Sequence, residues 1–252
     1  MPRKAREKSS TGIYHVMLRG INGQTIFTDN EDFQLFINTI REFKDVSKYE
    51  LYAYCLMTNH IHLLIKEGIE DLSIAFRRIG AKYVYWYNLK HKRIGHLFQD
   101  RYKSEVVEND KYLLTVLRYI HQNPVKAGIA KSVAEYRWSS YAEFNGDKDL
   151  CDTKFPLSLF SDDRKKALEL FKNFNLEINK DKCLDYEEIL RIDDKTAANI
   201  IKDVAGVKNP TQIQDIEKDK RDNIIKDLKE KGLSIRQIER LTGISFGIIR
   251  RI

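Results

Sequence analysis

The sequence is poor in the features that mark secreted and membrane proteins. Its 252 residues include three cysteines, Cys55, Cys151 and Cys183, which lie far apart and never form a Cys-x-x-Cys pair. This set argues against a disulfide framework or a cysteine metal site, and it fits a reducing cytosol. No apolar run approaches the roughly 20 residues that span a bilayer, and no apolar stretch follows the basic start. We therefore expect a cytoplasmic protein with neither a signal peptide nor a membrane partner.

Basic charge is concentrated in two blocks of the chain, whose net charge is +7. Residues 1–142 carry 22 basic and 15 acidic side chains, residues 143–217 carry 12 and 17, and residues 218–252 carry 10 and 5. Two basic blocks separated by an acidic one predict two surfaces for a polyanion, joined by a region that avoids it.

The densest basic patch lies between Arg77 and Lys103, where aromatic residues alternate with cations. Cations for phosphates and aromatic faces for unstacked bases are what a single-stranded nucleic-acid surface needs. The alternative is an amphipathic helix whose aromatic residues lie in the core and whose cations are solvated. The candidate DNA contacts in this patch are Arg77, Arg78, Lys82, Tyr83, Trp86, Arg101 and Lys103.

Hydrophobic periodicity predicts an α+β domain over residues 1–142, with the order β-α-β-β-α-β-α. The predicted strands cover residues 13–19, 49–57, 60–66 and 98–107. Helices are predicted over residues 33–43, after a Thr28–Glu31 capping box, then over a segment of about 20 residues from Leu72 and over 110–123. We expect an antiparallel sheet with the helices on one side. Pro124 should end or bend the third helix directly after Asn123.

The C-terminal part is expected to be helical, with helices over 162–174, 186–192 and 196–204. Residues 143–184 are interpreted as an acidic, partly helical connector, and residues 185–252 as an all-α DNA-binding region. A Ser234–Gln237 capping box, a turn at Gly243 and a final helix capped by Ser245 are typical of a helix-turn-helix over about 232–252, although any short helical hairpin could give this pattern. Its candidate DNA contacts are Arg236, Arg250 and Arg251.

Two short motifs contain residues suited to catalysis. His60 and His62 are two apart on a predicted strand, so both imidazoles point to one face and can bind one cation. Tyr119 and Asn123 are four apart, and therefore share one face of a helix. Each motif alone is weak, because a lone His-x-His pair or a half-buried tyrosine is more often structural. The other histidines show no such pairing and are interpreted as structural or solvated: His15, His91, His96 and His121.

Four segments, YHVMLRG, YCLMTNHIHLLI, FQDRYKSEVVE and LRYIHQNPVKAGI, occur in an order and spacing that resembles the single-tyrosine HUH transposases. The resemblance covers roughly residues 1–142 and is strongest to the REP-associated tyrosine transposases and related insertion-sequence transposases. It implies a ferredoxin-like (RRM-like) fold. It also implies that His60, His62 and Asn123 bind a metal and that Tyr119 is the nucleophile. The basic start resembles an arm that touches flanking DNA, although a solvated tail is an equal alternative; its residues are Arg3, Lys4 and Arg6.

The implied chemistry fits these residue types. Attack on a phosphodiester needs a cation, because the phosphate oxygens are anionic, and a phenol with a pKa near 10 needs activation. Two imidazoles and an amide oxygen suit Mg²⁺ or Mn²⁺. Attack by Tyr119 would leave a 5′-phosphotyrosine and a free 3′-OH, and a second 3′-OH could reverse the step. The expected substrate is single-stranded or hairpin DNA, with Arg19 as a further phosphate contact.

Other functions remain open at this point. The chain could be a domesticated, non-catalytic DNA-binding regulator, an HUH replication initiator or relaxase, or an RNA-binding sheet of the RRM type, for which no RNP aromatic motif is visible. The C-terminal region could tether the enzyme to duplex DNA. In that case a chain ending near Asn145 should still cleave oligonucleotides but bind long DNA less tightly. The sequence is compatible with a monomer or a homodimer.

Overall fold

The chain divides into two units, residues 1–185 and residues 186–252, in a computed structural model that describes residues 6–146, 150–185 and 192–252. Each unit has its own hydrophobic core. None of the described helices combines the length and the apolar character needed to cross a membrane.

A four-stranded antiparallel sheet lies at the centre of the first unit. Its strands are β1 (Ile13–Arg19), β2 (Glu50–Leu56), β3 (His60–Lys66) and β4 (Lys103–Val106), in the order β2-β3-β1-β4. The α+β class and the antiparallel sheet are confirmed. The last strand is shorter than the predicted 98–107, because Phe98 forms only an isolated bridge with Gly20 and the regular pairing with β1 begins at Lys103.

Helices cover both faces of this sheet. They are α1 (Asn30–Ser47), α2 (Leu72–Lys90) and α3 (Asp110–Lys126). The first two pack with Leu63 in one core, and α3 packs with Leu64 in the other. The prediction that all helices lie on one side is therefore wrong. Consecutive residues of β3 point to opposite faces and are all apolar from Leu63 to Ile65, so each face needs a cover.

Two helix ends differ from the predictions. α1 is capped by Asp29, whose side chain accepts hydrogen bonds from the backbone of Glu31 and Asp32, so the capping box lies one position after the predicted Thr28–Glu31 pair. α3 continues through Pro124 to Lys126 instead of ending after Asn123. The helix tolerates this proline because it lies in the last turn, which the bond from Ala127 N to Asn123 O closes.

The residues interpreted as a connector pack into the first unit. Helices α4 (Lys154–Ser158) and α5 (Arg164–Leu176) follow a 3-10 turn at Ser140–Asn145. Phe144, Leu157 and Phe171 belong to the core beneath α3, while Leu150 and Cys151 belong to the core on the other face. A chain ending near Asn145 would therefore lose part of both cores, and the first unit ends at Asp185.

Four helices form the described part of the second unit: α6 (Asp194–Ala205), α7 (Lys218–Glu230), α8 (Ile235–Thr242) and α9 (Phe246–Arg251). Ser234 caps α8 by accepting a hydrogen bond from Gln237 N, and Gly243 ends α8 in the left-handed conformation with φ of 76°. The helix predicted over 186–192 falls on residues 186–191, which lie outside the described residues.

Candidate active site

Three side chains from β3 and α3 converge on one point. His60 and His62 lie on the face of β3 that α3 covers, as their two-residue spacing predicts. His60 Nε2 lies 3.3 Å from Asn123 Oδ1, and His62 Nε2 lies 3.4 Å from Asn123 Nδ2. The ring centroids of the two histidines are 5.0 Å apart. The fold thus brings together two motifs separated by about 60 residues.

The hydrogen bonds of His60 leave a lone pair directed into this site. Asn59 Oδ1 lies 2.7 Å from His60 Nδ1. An amide oxygen only accepts hydrogen bonds, so Nδ1 carries the hydrogen in this contact, and in the neutral form of the ring Nε2 would carry a lone pair. That lone pair faces the oxygen of Asn123, which is also an acceptor. Two acceptors in this arrangement are suited to sharing a cation.

A metal ion at this point would need the amide of Asn123 as a ligand. Across the described ranges, no group of three or more His, Cys, Asp or Glu side chains could hold a metal ion. Two imidazole nitrogens and one amide oxygen form a neutral set that suits divalent ions of the Mg²⁺ and Mn²⁺ class and leaves positions open for substrate oxygens. The residues therefore fit the metal that the sequence resemblance implies.

Tyr119 lies one turn before Asn123 on α3 and is only 6% exposed. Its ring centroid is 5.6 Å from that of His62, and its hydroxyl donates a hydrogen bond of 2.6 Å to Asp185 Oδ2. Burial raises the pKa of the Tyr119 phenol well above its usual range, and the Asp185 carboxylate adds to this shift, while a hydrogen bond with Asn123 opposes it. The nucleophile candidate is thus a protonated phenol beside the histidine and asparagine side chains.

His15 is a member of this cluster that sequence reasoning missed. Its Nε2 lies 3.0 Å from His62 Nδ1, and both side chains are fully buried. Burial lowers the pKa of both rings; for His62 the nearby His15 and His60 lower it further, while Glu105 partly offsets the shift at His15. The sequence interpretation of His15 as structural or solvated includes its burial but not its contact with His62. Finding this pair requires the register of β1 against β3, which places Met17 opposite His62 and His15 diagonally beside it.

An acidic segment, residues 177–185, lies against α3 beside Tyr119. Arg118 contacts Glu177 Oε2 at 2.5 Å and Asp181 Oδ2 at 2.8 Å. Asp185 at the end of the segment accepts the hydroxyl of Tyr119. Nothing local in the sequence indicates these contacts, because an acid-rich stretch after a helix is typical of a solvated linker.

The basic patch contains exposed cations together with aromatic residues of differing burial. Arg77, Arg101 and Lys103 are exposed. Tyr83 is fully buried and its hydroxyl donates to Ile26 O at 2.5 Å, so its ring cannot stack on a base. For Tyr83 the core alternative is correct, because it continues the apolar face of α2. The structure removes it from the candidate DNA surface.

The remaining patch residues are partly engaged within the protein. Arg78 pairs with Glu70, and Lys82 pairs with Glu42. Trp86 is partly buried, with the Lys90 ammonium 4.9 Å above its ring. These side chains line the first unit's surface but make interactions that DNA would have to share or replace.

The other candidate DNA contacts lie at three places. Arg6 stacks on the Tyr102 ring at 3.8 Å, while Arg3 and Lys4 lie outside the described residues. Arg19, at the end of β1, pairs in register with His60 and is half-buried. On the second unit the three candidate contacts, Arg236, Arg250 and Arg251, are among several exposed cations.

Comparison with known proteins bears on the first unit. Residues 8–123 match the family model described as Transposase IS200 like. The resemblance to transposases is confirmed. The chain is 26% identical to the REP-associated tyrosine transposase of Escherichia coli (strain K12), a match that covers 53% of this chain and 78% of the relative.

A solved structure of a REP-associated tyrosine transposase bound to a REP hairpin also matches. The TM-score is 0.50 at 21% identity, and the match covers 58% of this chain and 87% of the other. At this identity the likeness shows the fold. Similarity to IS200-like transposases, an enzyme class that cleaves and rejoins DNA, thus extends over most of the first unit, and the family match ends at Asn123.

Proposed function

We propose that this protein is a metal-dependent DNA strand transferase that nicks single-stranded or hairpin DNA through a 5′-phosphotyrosine and rejoins strands. One observation carries the proposal: α3 places Tyr119 and Asn123, one turn apart, over the His60–His62 pair of β3. We also propose that the first unit has a ferredoxin-like fold. The strand order β2-β3-β1-β4 supports this, together with α1 connecting β1 to β2 and α2 connecting β3 to β4.

The residues that would hold the metal are His60, His62 and Asn123. A bound Mg²⁺ or Mn²⁺ would supply positive charge that orients and polarises the scissile phosphate. Asn59 holds the His60 ring through Nδ1, and Nε2 is directed towards Asn123. Burial keeps His62 neutral, which is the form that can donate a lone pair. In their metal-binding forms all three ligands are uncharged, so they would add no negative charge that repels the incoming phosphate.

Tyr119 would perform the covalent step. Its Oη loses a proton and forms a bond to phosphorus, and the bond from phosphorus to the 3′ oxygen breaks, so that oxygen leaves and takes up a proton as a 3′-OH. Before attack, the hydroxyl proton is held towards Asp185 Oδ2. The product is still a phosphodiester, so a second 3′-OH can attack it, release Tyr119 and join two strands without ATP.

The test is covalent trapping of a labelled single-stranded hairpin oligonucleotide in Mg²⁺ or Mn²⁺, read as a denaturant-stable protein–DNA adduct. We expect an adduct with the unmodified protein, none with Tyr119→Phe, and an adduct reduced at least about tenfold in His60→Ala. The matched control is Tyr85→Phe, which alters a tyrosine that is 74% exposed and should leave the adduct unchanged. An undiminished adduct in Tyr119→Phe would refute the proposal. DNA binding without any adduct in either metal would favour the non-catalytic regulator.

The second unit is proposed to bind duplex DNA beside the substrate through a helix-turn-helix. The support is the capped α8, the Gly243 turn and a final helix ending in two exposed arginines, Arg250 and Arg251. Combined replacement of Arg236, Arg250 and Arg251 by alanine should weaken duplex binding. It should also reduce the salt dependence of that binding. The slope of log K against log salt concentration should become less steep by about 0.9 for each phosphate that the variant no longer neutralises.

Oligonucleotide cleavage should not change in this triple variant. A control of equal charge loss replaces three exposed lysines of α5 by alanine: Lys165, Lys166 and Lys172. Equal duplex binding by both triple variants would contradict the tether.

A further inference from the structure

The buried pair His15–His62 raises a question that the proposed metal site leaves open, namely which ring nitrogen of His62 carries the hydrogen. Both rings are fully buried, and burial disfavours the charged form of an imidazole. A neutral imidazole has one N–H and one lone pair, and only the lone pair can bind a metal. The 3.0 Å contact between His15 Nε2 and His62 Nδ1 requires one of these atoms to donate and the other to accept.

Two arrangements satisfy this contact. If His15 donates, the hydrogen of His62 lies on Nε2, the atom that faces Asn123, and His62 cannot be a ligand through it. If His62 donates from Nδ1, its Nε2 carries the lone pair, and the hydrogen of His15 must lie on Nδ1. The two arrangements therefore differ in whether the site can hold a metal.

Contacts at both ends of the pair select the second arrangement. At the far end, His15 Nδ1 has no hydrogen-bond partner within the described residues, and Glu105 Oε2 lies 3.9 Å away. This distance is longer than a hydrogen bond, but a carboxylate there favours an N–H over a lone pair electrostatically. At the near end, His62 Nε2 faces the Nδ2 of Asn123, a donor, at 3.4 Å, which favours a lone pair on Nε2.

The Glu105 carboxylate is itself held in place. Tyr112 Oη donates to Glu105 Oε2 at 2.5 Å, and Leu184 N donates to the same oxygen at 3.0 Å. The row Glu105, His15, His62 thus runs from β4 across β1 to β3, along the three neighbouring strands of the sheet. The negative charge at the Glu105 end favours an N–H on the near nitrogen of His15, Nδ1.

We propose that His15 is a positioning residue that holds His62 in its Nδ1–H form, with Glu105 orienting His15, so that His62 presents Nε2 as a metal ligand. This inference rests on the metal site of the proposed function. A purely structural role for His15 would require only that the cavity be filled, whereas the positioning role requires an acceptor at the place of His15 Nε2.

The first measurement needs no substitution. In the full chain with ¹⁵N-labelled histidine rings and without metal, long-range ¹H–¹⁵N correlation spectra report which ring nitrogen is protonated. We expect His62 to be protonated at Nδ1 and not at Nε2. A His62 protonated at Nε2 overturns the proposal.

The second measurement is Mn²⁺ affinity by electron paramagnetic resonance in the full chain without DNA. His15→Phe fills the space but cannot accept a hydrogen bond from His62, so it should weaken Mn²⁺ binding about 10–100-fold. His15→Gln offers an oxygen acceptor and should restore affinity close to that of the unmodified protein. Leu64→Val is the packing control, since Leu64 pairs in register with His15 and has no polar atom, and it should leave the affinity unchanged. A folded His15→Phe that binds Mn²⁺ normally overturns the proposal.

His60→Ala separates this failure from failure of the proposed function. If His60→Ala weakens Mn²⁺ binding and His15→Phe does not, the result supports the metal site and refutes the positioning role of His15. If His60→Ala has no effect, the metal site itself is wrong and the positioning role falls with it.

Discussion

Phe171 provides a direct test of where the first unit ends. Its side chain has 0% exposure, and its ring stacks on Phe144 with a centroid distance of 4.4 Å and an interplanar angle of 8°. The ring also packs against Tyr141, at 5.3 Å between centroids. Replacing a core phenylalanine by alanine costs about 3–5 kcal/mol, and the removal of both aromatic pairs puts Phe171→Ala towards the upper end. Domains of this kind are stable by about 5–15 kcal/mol, so the variant should lose between about a third and all of its stability.

Urea denaturation followed by tryptophan fluorescence measures this change in one unit alone. The sequence has two tryptophans, Trp86 and Trp138, and both pack against the core of the first unit. The control is Phe155→Ala on α4, where the ring is 37% exposed, and it should cost only about 1 kcal/mol. If Phe171→Ala lowered the free energy of unfolding by less than about 1 kcal/mol, residues 143–184 would be a linker, and the first unit would end near residue 142.

Further substitutions probe the second unit and the Tyr119 phenol. Gly243→Ala should destabilise the second unit by at least about 1–2 kcal/mol, because φ is +76° and an added Cβ would lie 2.2 Å from the side chain of Gln214. The control is Gly247→Ala, because an added Cβ there has no atom within 4 Å. This control should be neutral or stabilising by up to about 1 kcal/mol. Thermal melting of the full chain, followed by circular dichroism, measures the stability of both variants. Asp185→Asn should lower the pKa of the Tyr119 phenol, because the Asp185 carboxylate raises it. A ¹⁹F NMR titration with fluorotyrosine at position 119 measures this pKa. The same pKa with and without the substitution would show that the two side chains are not in contact.

The strands that carry the site could be predicted from local pattern. β1 and β3 begin and end at the predicted residues, because short runs of apolar, β-branched and aromatic residues are local signals. The placement of the helices on both faces could have been inferred from the unbroken apolar run Leu63–Ile65, which indicates a strand buried on both sides. Burial of Tyr83 could also have been inferred, since it falls four residues after Ile79 on the apolar face of α2.

The rest of the site depends on contacts that no local pattern encodes. The spacing of His60 to His62 and of Tyr119 to Asn123 is local, and the transposase-like segments connect the two pairs. His15 meets a partner 47 residues away, and Asp185 meets one 66 residues away. Such pairs are fixed by strand register and by the packing of residues 177–185 on α3, and a single sequence carries no signal for either.

The spacing on α3 has a consequence for how such a protein could change shape. The phenol and the amide sit on successive turns of one helix, so the rise of the helix, about 5.4 Å per turn, fixes the separation of their backbones. A rigid displacement of α3 would withdraw both groups from β3 together. Partial retreat of the tyrosine alone is confined to rotation about its own side-chain bonds. A rigid motion of α3 would therefore move Tyr119 and Asn123 away from the histidines at the same time. If Asn123 stays in place, the Tyr119 hydroxyl can change position only by rotation of its own side chain.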